Sequence, residues 1–388
     1  MAAAFRSSSW ADRAEPAPRP GDAARRGGDE TTMAVLARIA DETGVQPMRL
    51  MREIAALSFG PGKISFADYV RLRLFDDAFW AGADKRTVIG RRRGREIIAQ
   101  ANRADWHGLC ANQAAAAAYL SAFGFATPTR AAVYAPNLAA PGGLLLRARD
   151  QLRDFLAEPQ VYPLLGRPIE AAPGLGTVEL VGLDGGHLIH ADGGRQPLES
   201  FVEHLCENFA AGYVFDHRPA IHPDAAPIAA RRLAGAQLVT VATDNGPRLF
   251  KAAWILPGRS GADGEVTLSL DPRTGAVLGA TCGEGLELRH PRNHPETGAP
   301  LVGAVVPGWQ ALRATAVEAA RLFAPLGLVG WRILPTVAGP VVLDIDPSPD
   351  LVRGQLADRR GVLTPEFQSF LAERRDTAAA RAAGDPEN

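Results

Sequence analysis

The chain has 388 residues, of which 46% are hydrophobic and 22% charged, a composition typical of a globular protein with two or three lobes around a substantial core. Lys and Arg number 42 against 43 for Asp and Glu, so the formal net charge of -1 does not support wholesale binding to nucleic acid or an anionic membrane. The three cysteines are far apart, and no apolar segment is long enough to span a membrane. These features exclude a disulfide framework and a zinc knuckle, and they predict a cytoplasmic protein with reduced thiols.

Residues 1–32 are rich in Ala, Arg, Pro and Gly without an apolar stretch, so we expect a disordered tail rather than a secretory signal. Residues 33–140 show the spacing of amphipathic helices, interrupted by glycine and proline, and are predicted to form a mainly helical region. The predicted helices are 33–42, 48–57, 66–75, 97–101 and 112–123. The basic run at 91–93 is interpreted as a solvated face.

Residues 141–218 are predicted to form a first α+β lobe in the order helix, strand, hairpin, helix, strand. The elements are expected at 145–156, 160–165, 177–182, 187–191, 198–209 and 212–217. A turn containing Gly174 and Gly176 joins two of these strands, and such a loop can lay backbone N–H groups over phosphates, although most glycines there simply form turns. Arg167 lies just upstream, in a Gly-Arg-Pro segment expected to end its strand, and is either a phosphate-binding cation or a surface arginine.

Residues 219–364 are predicted to form a second α+β lobe, an antiparallel sheet carrying one long helix, and residues 365–388 a C-terminal helix and tail. The elements of the second lobe are expected at 236–243, 249–256, 266–270, 277–280 and 309–323, followed by two strands within 329–346. The chain as a whole is therefore predicted to be α+β, with two such lobes preceded by a helical N-terminal region.

The last of these strands ends in two acids, Asp344 and Asp346, followed by a proline. Because side chains alternate along a strand, both aspartates are expected on one side and Ile345 in the core. Two carboxylates side by side repel unless a cation lies between them, and Mg²⁺ prefers such oxygen ligands. The simpler interpretation is that the two acids cap the strand end and favour the following turn.

Several pieces of the chain, taken in order over roughly residues 55 to 350, resemble the sugar-transfer-associated family of the ATP-grasp superfamily. These pieces are Phe59-Gly60-Pro61-Gly62-Lys63, His294-Pro295-Glu296-Thr297-Gly298, Val306-Pro307-Gly308-Trp309, Val329-Gly330-Trp331 and Gly339-Pro340-Val341-Val342-Leu343-Asp344. The resemblance implies an ATP-grasp fold that holds ATP between two lobes, with Mg²⁺ bridging the phosphates. It also implies a ligase that activates a small-molecule carboxylate as an acyl phosphate and passes it to an amine or hydroxyl, in polysaccharide or sugar-conjugate biosynthesis.

The resemblance assigns roles to seven residues. Gly174 and Gly176 match the phosphate-covering loop, and Arg167 falls where the family carries a phosphate-binding lysine before a proline. Asp216 and His217 match the hinge beside adenine and ribose, and Asp344 and Asp346 fall on a metal-binding Glu-x-Asn pair. The implied catalytic residues are Arg167, Asp344 and Asp346.

The sequence departs from the family pattern at several of these positions. Arg332 stands where relatives carry an aspartate after Gly-Trp, and Gln237 stands where they place an arginine. Asn112 and Gln113 replace an Asp-Lys pair. A cation at 332 would repel Mg²⁺ and pair with Asp344 or Asp346 instead. The alternative hypothesis is therefore a catalytically degenerate pseudo-ligase that serves as a nucleotide-binding or scaffold protein.

Overall fold

The computed structural model of the protein describes residues 32–137, 142–170, 174–258 and 265–384, with side chains as far as residue 374. The predicted tail therefore lies outside the described residues except for Thr32. The described helices are α1 (Thr32–Thr43), α2 (Pro47–Ser58), α3 (Phe66–Arg71), α4 (Arg91–Ala101), α5 (His107–Ala111), α6 (Gln113–Ala122), α7 (Arg149–Ala157), α8 (Leu198–Asn208), α9 (Trp309–Ala320), α10 (Arg353–Asp358) and α11 (Pro365–Gly384). The described strands are β1 (Arg130–Tyr134), β2 (Leu144–Leu146), β3 (Leu164–Pro168), β4 (Val178–Asp184), β5 (His187–His190), β6 (Arg195–Pro197), β7 (Tyr213–His217), β8 (Gly235–Thr243), β9 (Gly246–Leu256), β10 (Val266–Leu270), β11 (Val277–Cys282), β12 (Leu328–Thr336) and β13 (Gly339–Asp346).

The first sheet has seven strands in the order β2-β1-β7-β3-β4-β5-β6 and is antiparallel except where β1 meets β2. Helices α7 and α8 bury their apolar stripes against it, and Leu152 and Phe201 share one hydrophobic cluster with Phe215 of β7. Strand β1 belongs to this sheet although it lies in the region predicted to be mainly helical. The first sheet therefore includes a strand from outside the 141–218 segment. The boundaries of the lobes stay a prediction.

The second sheet has six antiparallel strands in the order β11-β10-β9-β8-β12-β13. One of its faces is apolar: Trp331 and Trp254 share a cluster with Leu312 of α9, and Ile345 joins the same core as expected. The opposite face carries polar side chains in register, since Arg332 lies opposite both Gln237 of β8 and Asp344 of β13. This polar face positions the candidate site.

The N-terminal helices and α11 form a third cluster, in which Ile39, Leu50 and Tyr69 are buried together with Phe367 and Phe370. No helix within the described ranges combines the length and the apolar character that a membrane crossing requires. The cytoplasmic location expected from the sequence stays a prediction.

The helix expected from residue 145 begins at Arg149, because residues 144–146 form β2. Two further local expectations are wrong for identifiable reasons. The helix expected to run to residue 75 ends at Arg71, and Arg73 takes a left-handed conformation with φ 53° that no helix can continue. Strand β3 continues through the Gly-Arg-Pro segment expected to end it. Proline is tolerated there because β4 pairs with β3 only as far as Gly166, so Pro168 has no partner on that side.

Candidate functional site

Arg167 connects the two sheets. Its side chain is almost fully buried, with the residue only 2% exposed, and it projects from β3 of the first sheet. Its Nη2 donates to Asp216 Oδ2 at 2.6 Å on the neighbouring strand β7. Its Nη1 donates to Asp344 Oδ1 at 2.9 Å and to the carbonyl of Leu343 at 2.6 Å, both on β13 of the second sheet. A third acceptor of Nη1 is Gln113 Oε1, at 3.1 Å. This guanidinium is therefore surrounded by acceptors supplied by the protein itself.

Asp216 is completely buried and binds two arginines, because Arg130 Nε also donates to it, at 2.7 Å. Arg130 lies opposite Asp216 in the register of β1 and β7. The sequence did not predict a role for Arg130, because its partner is 86 residues away in the chain. The one sequence feature that could have indicated it is a cation at the start of an apolar run. His217, the other predicted hinge residue, is exposed and is not part of this network.

Asp344 is 4% exposed and is held between two guanidiniums. Arg167 contacts its Oδ1, and Nη2 of Arg332 forms an ion pair with its Oδ2. Five side chains thus form one continuous line of ion pairs with alternating charge, in the order Arg130, Asp216, Arg167, Asp344 and Arg332. The line runs from the first sheet to the polar face of the second.

The pKa values of Asp344, Arg167 and Asp346 follow their surroundings. Burial by itself would raise the pKa of Asp344, but the charges of Arg332 and Arg167 outweigh it and hold that pKa below its usual value. Burial likewise acts to lower the pKa of Arg167, and the charges of Asp344 and Asp216 more than reverse it. Asp346 differs, because burial and the nearby charges of Asp344 and Asp350 raise its pKa. Asp344 and Arg167 therefore favour their charged forms, whereas Asp346 is the carboxylate that resists ionisation.

Gly174 and Gly176 both have left-handed backbone conformations, with φ of 82° and 68°. A Cβ on Gly174 would meet open space, but one on Gly176 would lie 2.8 Å from Pro168 Cγ. The carbonyl of Gly176 also accepts a hydrogen bond from the buried hydroxyl of Tyr213. Gly176 is thus required by packing, and residues 171–173 of the predicted loop lie outside the described part of the chain.

The structure also places the other residues that depart from the family pattern. Asn112 caps α6 by accepting from the N–H of Ala115 at 2.9 Å. Gln113 is buried and contacts Arg167, whereas Gln237 is exposed on the polar face opposite Arg332. Gln113 therefore contacts the line of ion pairs directly, and Gln237 lies next to Arg332 in the pairing of β8 with β12. Asn112 instead caps a helix.

Residues 93–370 match the family described as sugar-transfer associated ATP-grasp. The chain belongs to this ATP-grasp family. The α+β fold with two sheets and an N-terminal helical region agrees with that membership. None of the curated proteins matches the sequence.

Several solved structures of ATP-grasp proteins are similar to this chain. The D-alanine–D-alanine ligase from Coxiella burnetii is 10% identical with a TM-score of 0.43, and the match covers 73% of this chain and 61% of the ligase. The ATP-grasp ligase PsnB, solved with a precursor variant, Mg and ADP, is 14% identical with a TM-score of 0.35 over 71% of this chain and 61% of PsnB. A RimK domain ATP-grasp protein from Sphaerobacter thermophilus is 14% identical with a TM-score of 0.35 over 71% of this chain and 69% of its own. The chain thus spans about three fifths of the length of the first two.

ATP-grasp ligases use Mg²⁺, so the fit of a metal can be tested on the residues present. Both oxygens of Asp344 face guanidiniums, and Oδ1 of Asp346 accepts from the N–H of Ser348 at 2.8 Å. Within the described ranges, His, Cys, Asp and Glu form no cluster of three or more that could hold a metal ion. Mg²⁺ needs near-octahedral oxygen coordination, and a permanent cation against Asp344 opposes it. In this arrangement Asp344 and Asp346 do not fit a magnesium site.

Proposed function

We propose that this ATP-grasp protein is a catalytically degenerate pseudo-ligase, a binding or scaffold protein that does not carry out Mg-ATP-dependent acyl-phosphate chemistry. The observation that supports this proposal best is the environment of Arg167. Its two terminal nitrogens make four hydrogen bonds, all to acceptors within the chain.

Phosphoryl transfer depends on positioned cations that neutralise the charge of the transferring phosphate. At the position implied to bind phosphate, Nε of Arg167 is the one nitrogen without a partner, and it is buried. Freeing the guanidinium for a nucleotide would leave Asp216 and Asp344 as buried charges with less compensation, which costs several kcal/mol, roughly 3–5 for one broken buried pair. The neutral side chains of Gln113 and Gln237 add no positive charge to replace it.

A place for a small ligand does remain on the polar face of the second sheet. A cavity of about 220 Å³ is lined there by Gln237, Lys251 and Thr267 from the sheet and by Arg353 and Asp358 from α10. A binding role needs no phosphoryl transfer, so this cavity supports a protein that holds a polar molecule without transforming it.

The second candidate function is the Mg-ATP-dependent ligase itself, joining a small-molecule carboxylate to an amine or hydroxyl that can be sugar-linked. The favouring observation is that Arg167, Asp216 and Asp344 do come together between the two sheets, where the family resemblance places the phosphates. This candidate requires the ion pairs of Arg167 and Arg332 to open when Mg-ATP binds.

The two candidates are separated by turnover measured on native protein and on Arg332→Asp. Phosphate release from Mg-ATP is followed with hydroxylamine present to trap acyl phosphates, across a panel of amino acids and sugar acids. We expect native protein to match the rate of a protein-free control. Turnover by native protein that disappears in Asp344→Asn, with circular dichroism confirming that the variant is folded, would overturn the proposal in favour of the ligase. Turnover confined to Arg332→Asp would support the proposal.

A further inference from the structure

Arg332 occupies a particular place on the polar face of the second sheet. It lies opposite Asp344 in the β12–β13 register and is 23% exposed at its side chain, while Asp344 is buried beneath it. With Arg167 on Oδ1 and Arg332 on Oδ2, each oxygen of Asp344 has its own cation. Asp346 follows two residues later on the same strand.

The charges of this group need no metal to balance. Arg167 and Arg332 contribute two positive charges and Asp344 contributes one negative charge, so even an ionised Asp346 brings the sum only to zero. The neighbouring pair of Arg130 and Asp216 cancels in the same way. A divalent cation added to this group would be repelled by two guanidiniums, and arginine side chains stay protonated in proteins.

We propose that the Arg332 guanidinium is a resident cation that takes the place of a divalent metal ion beside Asp344, so that the native chain binds no such ion between its sheets. A consequence is that a divalent-metal site beside Asp344 is latent, meaning that it forms only when the cation at position 332 is removed. Exchanging Arg332 for aspartate makes the net charge of the group more negative by two and brings a third carboxylate opposite Asp344, which suits Mg²⁺ or Mn²⁺. The inference rests on the proposed function only for where the site lies. It does not require that the native protein lack ATP turnover.

The experiment measures Mn²⁺ binding by electron paramagnetic resonance, without nucleotide, on full-length native protein and three variants. Arg332→Asp is the test, and Arg332→Asn removes the cation without adding a carboxylate. Arg195→Asp is a matched control, because Arg195 is also paired with an aspartate, Asp184, but on an exposed part of the first sheet. Adding Asp344→Asn to Arg332→Asp locates any site that is gained.

We expect Arg332→Asp to bind one Mn²⁺ per chain at least tenfold more tightly than native protein or Arg195→Asp, and to lose this gain when Asp344→Asn is added. Arg332→Asn should fall between the two. Binding of one Mn²⁺ by native protein that is lost in folded Asp344→Asn would overturn the inference, and this measurement stands even if Arg332→Asp does not fold. A folded Arg332→Asp that binds no better than Arg195→Asp would overturn the latent site. ATP turnover by native protein that binds no Mn²⁺ in the absence of nucleotide, in contrast, would overturn the proposed function and leave Arg332 as the resident cation of the nucleotide-free chain.

Discussion

Two buried polar junctions connect parts of this protein, one between the two sheets and one between the N-terminal helices and the second sheet. They consist of different kinds of side chain. The junction between the sheets consists of charges, with Arg167 bound to Asp216 and Asp344. The junction between the N-terminal helices and the second sheet consists of neutral amides. Asn102 donates to the carbonyls of Leu328 at 2.7 Å and Pro347 at 2.6 Å, and it accepts from the N–H of Leu328 at 2.8 Å.

The amide junction is satisfied atom by atom, and a second buried amide, Gln355, repeats the pattern by both donating to and accepting from the backbone of Ile89 at 2.9 Å. The charged junction is less complete, because Nε of Arg167 and Nε of Arg332 are buried without hydrogen-bond partners. A fold that needed only a bridge could use neutral amides at lower desolvation cost. The charges between the sheets therefore agree better with the proposed pseudo-ligase than with a device for stability.

The largest expected effect is at the charged junction. Arg167→Met keeps much of the side-chain volume but leaves Asp344 and Asp216 buried with one cation fewer, so we expect a loss of about 3–5 kcal/mol in the free energy of unfolding. Urea denaturation followed by circular dichroism measures it. Arg86→Met, at an arginine whose side chain is 79% exposed, is the control and should leave the midpoint unchanged. A loss below about 1 kcal/mol for Arg167→Met would mean that the ion pairs open easily, as the ligase candidate requires.

An intermediate effect is expected at the amide junction. Asn102→Ala removes one acceptor and two donors that join α4 to the second sheet, and leaves backbone groups of Leu328 and Pro347 unpaired, which should cost about 2–3 kcal/mol. Since no charge is involved, this loss should be the same at pH 5 and pH 8 in urea titrations. Asn208→Ala, at an exposed asparagine near the end of α8, is the matched control and should behave as native protein does. A loss that changes strongly with pH would contradict a purely neutral junction.

The contrast also shows what could be predicted from the sequence. Strand periodicity predicted most strands of both sheets. The family resemblance singled out Arg167, Asp216 and Asp344, which the structure brings into contact, while their roles stay a prediction. The expectation that a cation at 332 pairs with one of the two aspartates is confirmed for Asp344. Arg130 and Gln113 were not predicted as partners, because they lie 86 and 54 residues from the groups they contact. Such pairings depend on strand order and register, which the pattern of a single strand does not contain.

The smallest expected effect concerns Asp346, which lies beside the charged junction without an arginine of its own. Its pKa is raised by burial and by the charges of Asp344 and Asp350, so its ionised form is less favourable in the folded than in the unfolded chain. The stability that this group contributes is fully present below the unfolded pKa, near 3.9, and is lost as the pH rises through the higher folded pKa. Asp346→Asn, which can still accept from Ser348, should therefore raise the melting temperature at pH 7 by roughly 2 °C. The gain should shrink towards pH 4 in calorimetric scans, because native Asp346 is then increasingly protonated. A variant less stable than native protein at pH 7 would show that the Asp346 carboxylate has a cationic partner. Asp344 and Asp346 would then again be candidates for one shared cation-binding site.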